Sequence, residues 1–305
     1  MSPEGKASLV SELQKETNEI IAMCGDGAND CNALKTADVG LSLSEAEASI
    51  AAPFTSKIQD ISPIIRLLRE GRAALVTSFA AFKYIELYSM IQFWTVIILY
   101  RIASNLGDFQ FLYIDLFHII PLFIVMGYTE SHTKLSKKMP TGALISVPVL
   151  FSVLSQIIIQ SSFQFGIFFL LKSQEWYEPL KPHDDKNTLC QENTVLFLFS
   201  TLQYSYIVIT FSISKPFRKS MFTNIGLWVT LTILFIIDYS IIVIPWKFFR
   251  KLLVIETLPK KFRLYIIFGS FINALVSYFF ERVIVLGIID NIISRRKLAK
   301  GVREK

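Results

Sequence analysis

Two carboxylates and a carboxamide crowd into Met23-Cys24-Gly25-Asp26-Gly27-Ala28-Asn29-Asp30, with only glycine and alanine between them. Hard oxygen donors at that density suit Mg²⁺, which takes one or two protein carboxylates and completes its shell with phosphate and water. Asp26 and Asp30 stand four residues apart, so a helical first turn would bring both to one side. Gly27 would let the backbone turn sharply and approach a ligand closely. Asp-Gly and Asn-Asp are also ordinary turn chemistry, and a plain surface turn accounts for them as well.

A second kind of chemistry lies far along the chain. Asp108 and Asp115 are seven residues apart, two helical turns on nearly one face. Asp115 is the deeper, inside Phe111-Leu112-Tyr113-Ile114-Asp115-Leu116-Phe117. A carboxylate at membrane depth is costly, so it must face a partner or a wet cavity. Tyr88 and Gln92, four apart in the preceding apolar run, share a face. Aromatic faces beside carboxylates suit an organic cation, which gains charge pairing and cation–π attraction together. Asp108 reads equally well as an acid at a helix start; for Asp115 the cost of the charge favours substrate contact over a packing hydrogen bond between helices. Asp238, His118 and Glu281 read as interhelical hydrogen-bond groups, and Glu86 as a partner for Lys83.

Local elements must position these groups. Ile20-Ile21-Ala22-Met23 reads as a short buried parallel strand running into the acidic turn. Asn32-Ala33-Leu34-Lys35 begins a helix, and Val39-Gly40-Leu41-Ser42-Leu43 is the next strand. The carboxylates then sit at the carboxyl end of the first strand, where open α/β sheets bind ligands. Upstream, Ala7 to Lys15 has helical spacing with Leu9, Val10 and Leu13 on one side, and Lys6 stands just ahead. Ser44 with Glu47 forms a capping box for a short helix that Pro53 ends. So short a head is expected to need further sequence for a core of its own. Pro63 suits the start of a helix whose Arg66, Arg69 and Arg72 repeat along one face, toward water or lipid headgroups.

Composition changes near residue 79. Hydrophobic residues make up 52% of the 305, and the mean hydropathy is +0.46, both above ordinary soluble domains. Apolar runs close to the ~20 residues that cross a bilayer fall at 79–100, 106–127, 145–171, 193–213, 223–246 and 264–289. Six crossings return both ends to one side. Lys134, Lys137, Lys138, Lys215, Arg218, Lys219 and the basic residues of the tail, 291–305, then lie together, as the positive-inside rule requires. One connection disagrees: Lys247, Arg250, Lys251, Lys260, Lys261 and Arg263 fall on the other side. The net charge of +6 comes without a basic stripe interleaved with stacking aromatics, which argues against nucleic acid. Cys24, Cys31 and Cys190 lack metal-ligand spacing, Cys190 has no obvious partner, and the three histidines are scattered, which argues against zinc. Met1 to Lys6 reads as the inside of a domain rather than a signal peptide, so the chain is expected to be part of a longer one.

Gly25-Asp26-Gly27-Ala28-Asn29-Asp30, with Ala33-Leu34 and Ala37-Asp38-Val39-Gly40 after it, resembles the hinge motif of the P-type ATPases. These are ion and lipid pumps that form an aspartyl-phosphate. The resemblance implies that Asp26 ligates Mg²⁺ and that Asn29 and Asp30 position phosphate and metal. Lys6 matches a lysine that reaches the phosphorylated aspartate, where an ammonium acts as a point charge on phosphoryl oxygens.

The likeness covers nearly the whole chain. Ser42-Leu43-Ser44-Glu45-Ala46-Glu47-Ala48-Ser49, Pro53-Phe54-Thr55-Ser56-Lys57, Arg69-Glu70-Gly71-Arg72-Ala73-Ala74-Leu75 and Asn105-Leu106-Gly107-Asp108-Phe109-Gln110 are similar to type V pumps, in particular the animal polyamine-transporting subgroup. The fold so implied is mainly α. A six-helix transmembrane bundle (79–290) follows the carboxyl-terminal part of an α/β HAD-like phosphorylation domain (1–60) and a stalk helix (61–78), and a basic cytosolic tail (291–305) ends the chain. The implied function is ATP-driven export of polyamines from the late endosome or lysosome lumen, with Asp115, Asp108, Tyr88 and Gln92 lining the path. Both termini would be cytosolic. Mg²⁺ and ATP are the implied cofactors. The implied partners are a polyamine or other cation, the bilayer and the missing amino-terminal part of the pump. No Asp-Lys-Thr-Gly-Thr acceptor sequence occurs in the chain, so alone it is expected to be inactive. A noncatalytic isoform and a pump for an inorganic cation stay open as alternatives.

Overall fold

The structure, a computed structural model, describes residues 1–44, 48–180 and 187–289. The expected capping box of Ser44 with Glu47 and the basic tail 291–305 lie outside the described residues. The chain divides into two units, Met1–Arg72 with Thr133–Lys137, and Ala73–His132 with Lys138 onward.

In the first unit, α1 (Pro3–Thr17) begins earlier than its apolar spacing suggests. Ser2 accepts the amide of Gly5 at 3.2 Å and Pro3 opens the first turn, a strong start signal. Lys6 therefore lies inside the helix rather than ahead of it. Of the expected apolar face only Val10 is buried, with Leu9 and Leu13 left exposed. Strands β1 (Ala22–Gly25), β2 (Val39–Ser42) and β3 (Phe54–Thr55) form a parallel sheet in that order, with Ala22 opposite Val39 and Leu41 opposite Phe54. Ile20, expected in β1, is outside it and exposed. The helix α2 (Cys31–Thr36) connects β1 to β2. A β-carbon on Gly40 would come within 2.5 Å of the Leu34 carbonyl, so only glycine lets α2 lie this close to β2. Asp38 joins two elements by accepting Gln14 Nε2 and the Ile21 amide, each at 2.9 Å.

The helix α3 (Ser62–Tyr100) runs unbroken for 39 residues. Its arginines do not all face solvent. Arg69 Nη1 donates to the Thr133 carbonyl at 3.1 Å and Arg72 Nη1 to that of Ser136 at 2.6 Å.

Among the described residues of the second unit, five helices are long and apolar enough to cross a membrane: α4 (Asp108–Gly127), α5 (Val147–Lys172), α6 (Gln191–Phe211), α7 (Ile225–Val243) and α9 (Lys260–Gly287). Each coincides with an expected run. The run 79–100 is the second half of α3, where Lys83, Glu86 and Gln92 dilute the apolar character, and it is not among the five. A short helix, α8 (Lys247–Leu252), precedes α9. The helix α6 is buried on nearly every side, as expected of an apolar helix at the middle of a bundle.

The connections of this unit gather at two ends. At one, Asn187 Nδ2 donates to the Ala103 carbonyl at 2.7 Å and the Glu256 amide to Thr194 Oγ1 at 2.9 Å. At the other, the Lys219 amide donates to Glu130 and the His132 amide to Phe217, both at 2.9 Å, while Arg282 Nη2 reaches the Ser212 carbonyl at 2.9 Å. The basic connection of residues 244–259 thus reaches the same end of this unit as Ala103 and Asn187.

Candidate functional site

The acidic turn is held by Asp30 itself. β1 ends at Gly25, Gly27 is extended, and a tight turn of Ala28–Asp30 leads into α2. Asp30 is only 7% exposed. Its Oδ1 accepts Lys6 Nζ at 2.6 Å. This bond, the charge of Lys6 and the backbone amides of Asp26 and Gly27 together outweigh burial and hold the Asp30 carboxyl below its usual range. A β-carbon on Gly25 would lie 2.5 to 2.7 Å from Asp30, so the missing side chain is what admits that carboxylate. Gly27 plays another part than expected. Its φ of −124° is open to any residue, and a β-carbon there would meet nothing within 4 Å.

Asp26 and Asn29 are exposed on the same turn. The structure therefore separates the two aspartates: Asp30 is engaged by Lys6, and Asp26 projects outward. Both carboxylates add to burial in pushing the Cys24 thiol up. Against two carboxylates Lys6 supplies one positive charge, which leaves a negative turn with an outward oxygen donor. Among the described residues no group of three or more His, Cys, Asp or Glu side chains could hold a metal ion. Mg²⁺ does not need one, because water and phosphate complete its shell. The oxygen donors, the negative balance and the clear space over Gly27 fit that ion.

In the second unit, α4 opens into a wide i→i+5 turn over Ile114–Ile119, a distortion that recurs at functional sites. Asp115 lies in it, partly buried, and accepts Tyr88 Oη at 2.6 Å. Gln92 stands one turn further along α3 on the same face as Tyr88 and lies within reach of its phenol. Tyr204 of α6 meets Tyr88 edge-on, with ring centres 5.7 Å apart. Asp115, Tyr88 and Gln92 are thus brought together. Asp108 is not: it is exposed in the first turn of α4, where an acid complements the helix dipole. Depth along the helix separates it from Asp115, by about 10 Å at 1.5 Å per residue.

Beside this group is a fully buried one. Tyr113 Oη donates to Asp238 at 2.8 Å, His118 Nε2 is 3.3 Å from the same carboxylate oxygen, and Ser205 Oγ is 3.3 Å from His118 Nδ1. These groups join α4, α6 and α7.

Two networks were not foreseen. Lys83 does not pair with Glu86, which is exposed. Its Nζ lies 2.8 Å from Glu281 and 2.8 Å from Ser152, with the ion pair almost wholly buried. A partner 198 positions away carries no local signal. The second is a ladder on α5: Gln156, Gln160 and Gln164 are all buried and reach Ser277, Gln203 and Thr95 on three other helices. Its spacing of four inside an apolar run was the signal available. Cys190, expected to stand alone, caps α6 by accepting the Asn193 amide and lies 3.4 Å from Ser104 Oγ.

No family model matches the chain. Individual proteins do. A vacuolar cation-transporting ATPase, YPK9, of Saccharomyces cerevisiae is 44% identical over 275 residues, 90% of this chain and 18% of that protein. The human polyamine-transporting ATPase 13A3 is 42% identical over 300 residues, 91% of this chain and 24% of its own length. The human polyamine-transporting ATPase 13A2 is 45% identical over 250 residues, 80% of this chain and 21% of its own. The chain therefore spans about a fifth to a quarter of the curated relatives it matches.

Proposed function

The chain belongs to the P-type ATPase 13A family, and on that premise we propose that it is the carboxyl-terminal part of an ATP-driven cation pump, with polyamines as the cargo. Residues 1–60 are then the end of a HAD-like phosphorylation domain, 61–78 a stalk, and 79–290 six spans, the first being the second half of α3. The observation that carries the cargo reading is the contact of Tyr88 with Asp115 inside an apolar bundle. A carboxylate at that depth faces a cavity or a cation, and the rings of Tyr88 and Tyr204 add attraction for an amine. Relatives whose names say only "cation-transporting" leave an inorganic ion as the competing cargo.

At the acidic turn, Asp26 and Asn29 face outward and are the groups that would meet Mg²⁺ and phosphate. Bound there, the ion would neutralise negative charge on a transferring phosphoryl group. Asp30 orients Lys6 through their 2.6 Å contact, which keeps the ammonium next to the turn. The pump would work in the late endosome or lysosome membrane and move cargo toward the cytosol, with both termini of this chain on the cytosolic side. The amino-terminal part of the same pump would supply the phosphorylated aspartate and most of the ATP site.

The test is spermine-stimulated ATP hydrolysis by the full-length pump, beside Asp115→Asn. Loss of stimulation at unchanged expression supports the reading. Equal stimulation in both removes Asp115 from the site, and stimulation by an inorganic cation alone selects the competing cargo.

A further inference from the structure

The connection that breaks the charge pattern sorts its basic residues by direction. Residues 244–263 carry Lys247, Arg250, Lys251, Lys260, Lys261 and Arg263 against one acid, Glu256. The arginines turn inward. Arg263 Nε donates to the Leu258 carbonyl at 2.7 Å and its Nη1 to that of Val243 at 2.9 Å, while Arg250 Nε reaches Ile255 at 3.5 Å. Glu256 is partly buried, near Gln191, and its amide donates to Thr194 Oγ1 at 2.9 Å. Lys247, Lys251, Lys260 and Lys261 are all exposed, and none makes an ion pair or hydrogen bond among the described residues. Trp246, Phe248 and Leu264 lie beside them at 48%, 68% and 63% exposure.

The scaffold beneath is fixed. Leu253, Ile255, Leu258 and Phe262 are buried, and Val254 is held at a φ of 50°, which a β-branched residue keeps only when its surroundings enforce it. The six residues of α8 are too short to cross a bilayer. They lie between α7 and α9, two helices long and apolar enough to do so. The patch is therefore next to the membrane surface.

We propose that this face binds anionic phospholipid headgroups of the adjoining leaflet, with the four lysines on the phosphodiesters and Trp246 and Phe248 seated at the interface. Charge and shape agree with that occupant. Lysine is a flexible point charge that follows a fluid array of phosphates, whereas a fixed bidentate site would use arginine. Its stem lies along apolar surface while the ammonium stays among headgroups, and tryptophan settles at the same depth. Anionic lipid supplies the counter-charge that no described residue gives these four lysines. The inference depends neither on cargo nor on ATP.

The test uses the full chain in nanodiscs of phosphatidylcholine and phosphatidylserine, with one lipid brominated at a time. Emission of Trp246 is isolated by difference from Trp246→Phe. Each lysine near an anionic surface contributes roughly fivefold in affinity. Brominated phosphatidylserine is therefore expected to quench Trp246 much more strongly than brominated phosphatidylcholine at the same mole fraction. Replacing all four lysines by glutamine abolishes the preference and replacing them by arginine retains it. Lys247→Gln and Lys260→Gln singly each weaken it, which keeps the test decisive if the fourfold glutamine variant does not fold. Soluble inorganic phosphate leaves the preference unchanged. Equal quenching by the two lipids, a preference that survives the glutamine variants, or displacement by inorganic phosphate overturns the proposal.

Discussion

Replacing Lys83 by methionine tests the packing of the membrane unit. The substitution keeps the length of the stem and removes the charge. Glu281, fully buried, then keeps Ser152 Oγ as its one partner among the described residues, 2.8 Å from its carboxylate oxygens. A buried charge robbed of its partner costs about 3–5 kcal/mol, roughly a hundredfold to several-thousandfold in the folding equilibrium. The cost belongs to the abandoned carboxylate rather than to the lost contact. Lys83→Met with Glu281→Leu should therefore recover most of it, since apolar replacement of a buried pair is often neutral or stabilising. The assay is thermal unfolding of the full chain in detergent micelles, followed by tryptophan fluorescence, across the double-mutant cycle. Unfolding of Lys83→Met at the parental temperature, or a double variant no more stable than the single one, would refute a structural role for the buried pair.

Two further perturbations follow from the geometry. Gly25→Ala should destabilise the first unit by about 1–3 kcal/mol through overpacking and open the Lys6–Asp30 contact, whereas Gly27→Ala should unfold like the parent; thermal melts of the full chain compare them. Glu256 should make stability depend on pH. Burial first, then the Glu192 and Glu178 carboxylates, raise its folded pKa above the usual 4.5, and Gln191 and Arg250 only partly oppose them. The folded state therefore holds this proton more tightly, and stability should rise as pH falls from neutral toward 4.5. Glu256→Gln should flatten that part of the pH profile of thermal unfolding.

The local grammar of the head was legible. Strand, acidic turn, helix and strand follow from short-range pattern, and the structure moves their edges by one or two residues. Ser2-Pro3 is the exception: a cap read only as an upstream segment starts α1 early and places Lys6 in its first turns. The long apolar runs were legible because length and hydropathy are one-dimensional properties, and the run 79–100, which carries Lys83, Glu86 and Gln92, was the one not matched as an apolar span among the described residues. Contacts between helices were not legible. Lys83 has an acid three positions away in sequence and uses another on α9, because the nearer one faces outward. The distinct work of two glycines, Gly25 making room for Asp30 and Gly27 leaving space open, appears only once the turn is folded. The two carboxylates of the turn looked equivalent for the same reason. Asp115 with Tyr88 and Gln92 was readable from depth and spacing, whereas the exposure of Asp108 depended on where α4 begins.

If the acidic turn serves Mg²⁺-dependent phosphoryl chemistry, it does so through an outward Asp26 and a Lys6 oriented by Asp30. Acid-stable phosphoenzyme formed from ATP by the full-length pump tests it most directly. Asp26→Asn should lose phosphoenzyme at physiological Mg²⁺, in protein that melts at the parental temperature, because the exposed carboxylate has no partner among the described residues. Phosphoenzyme at the parental level and Mg²⁺ dependence in that variant would contradict it.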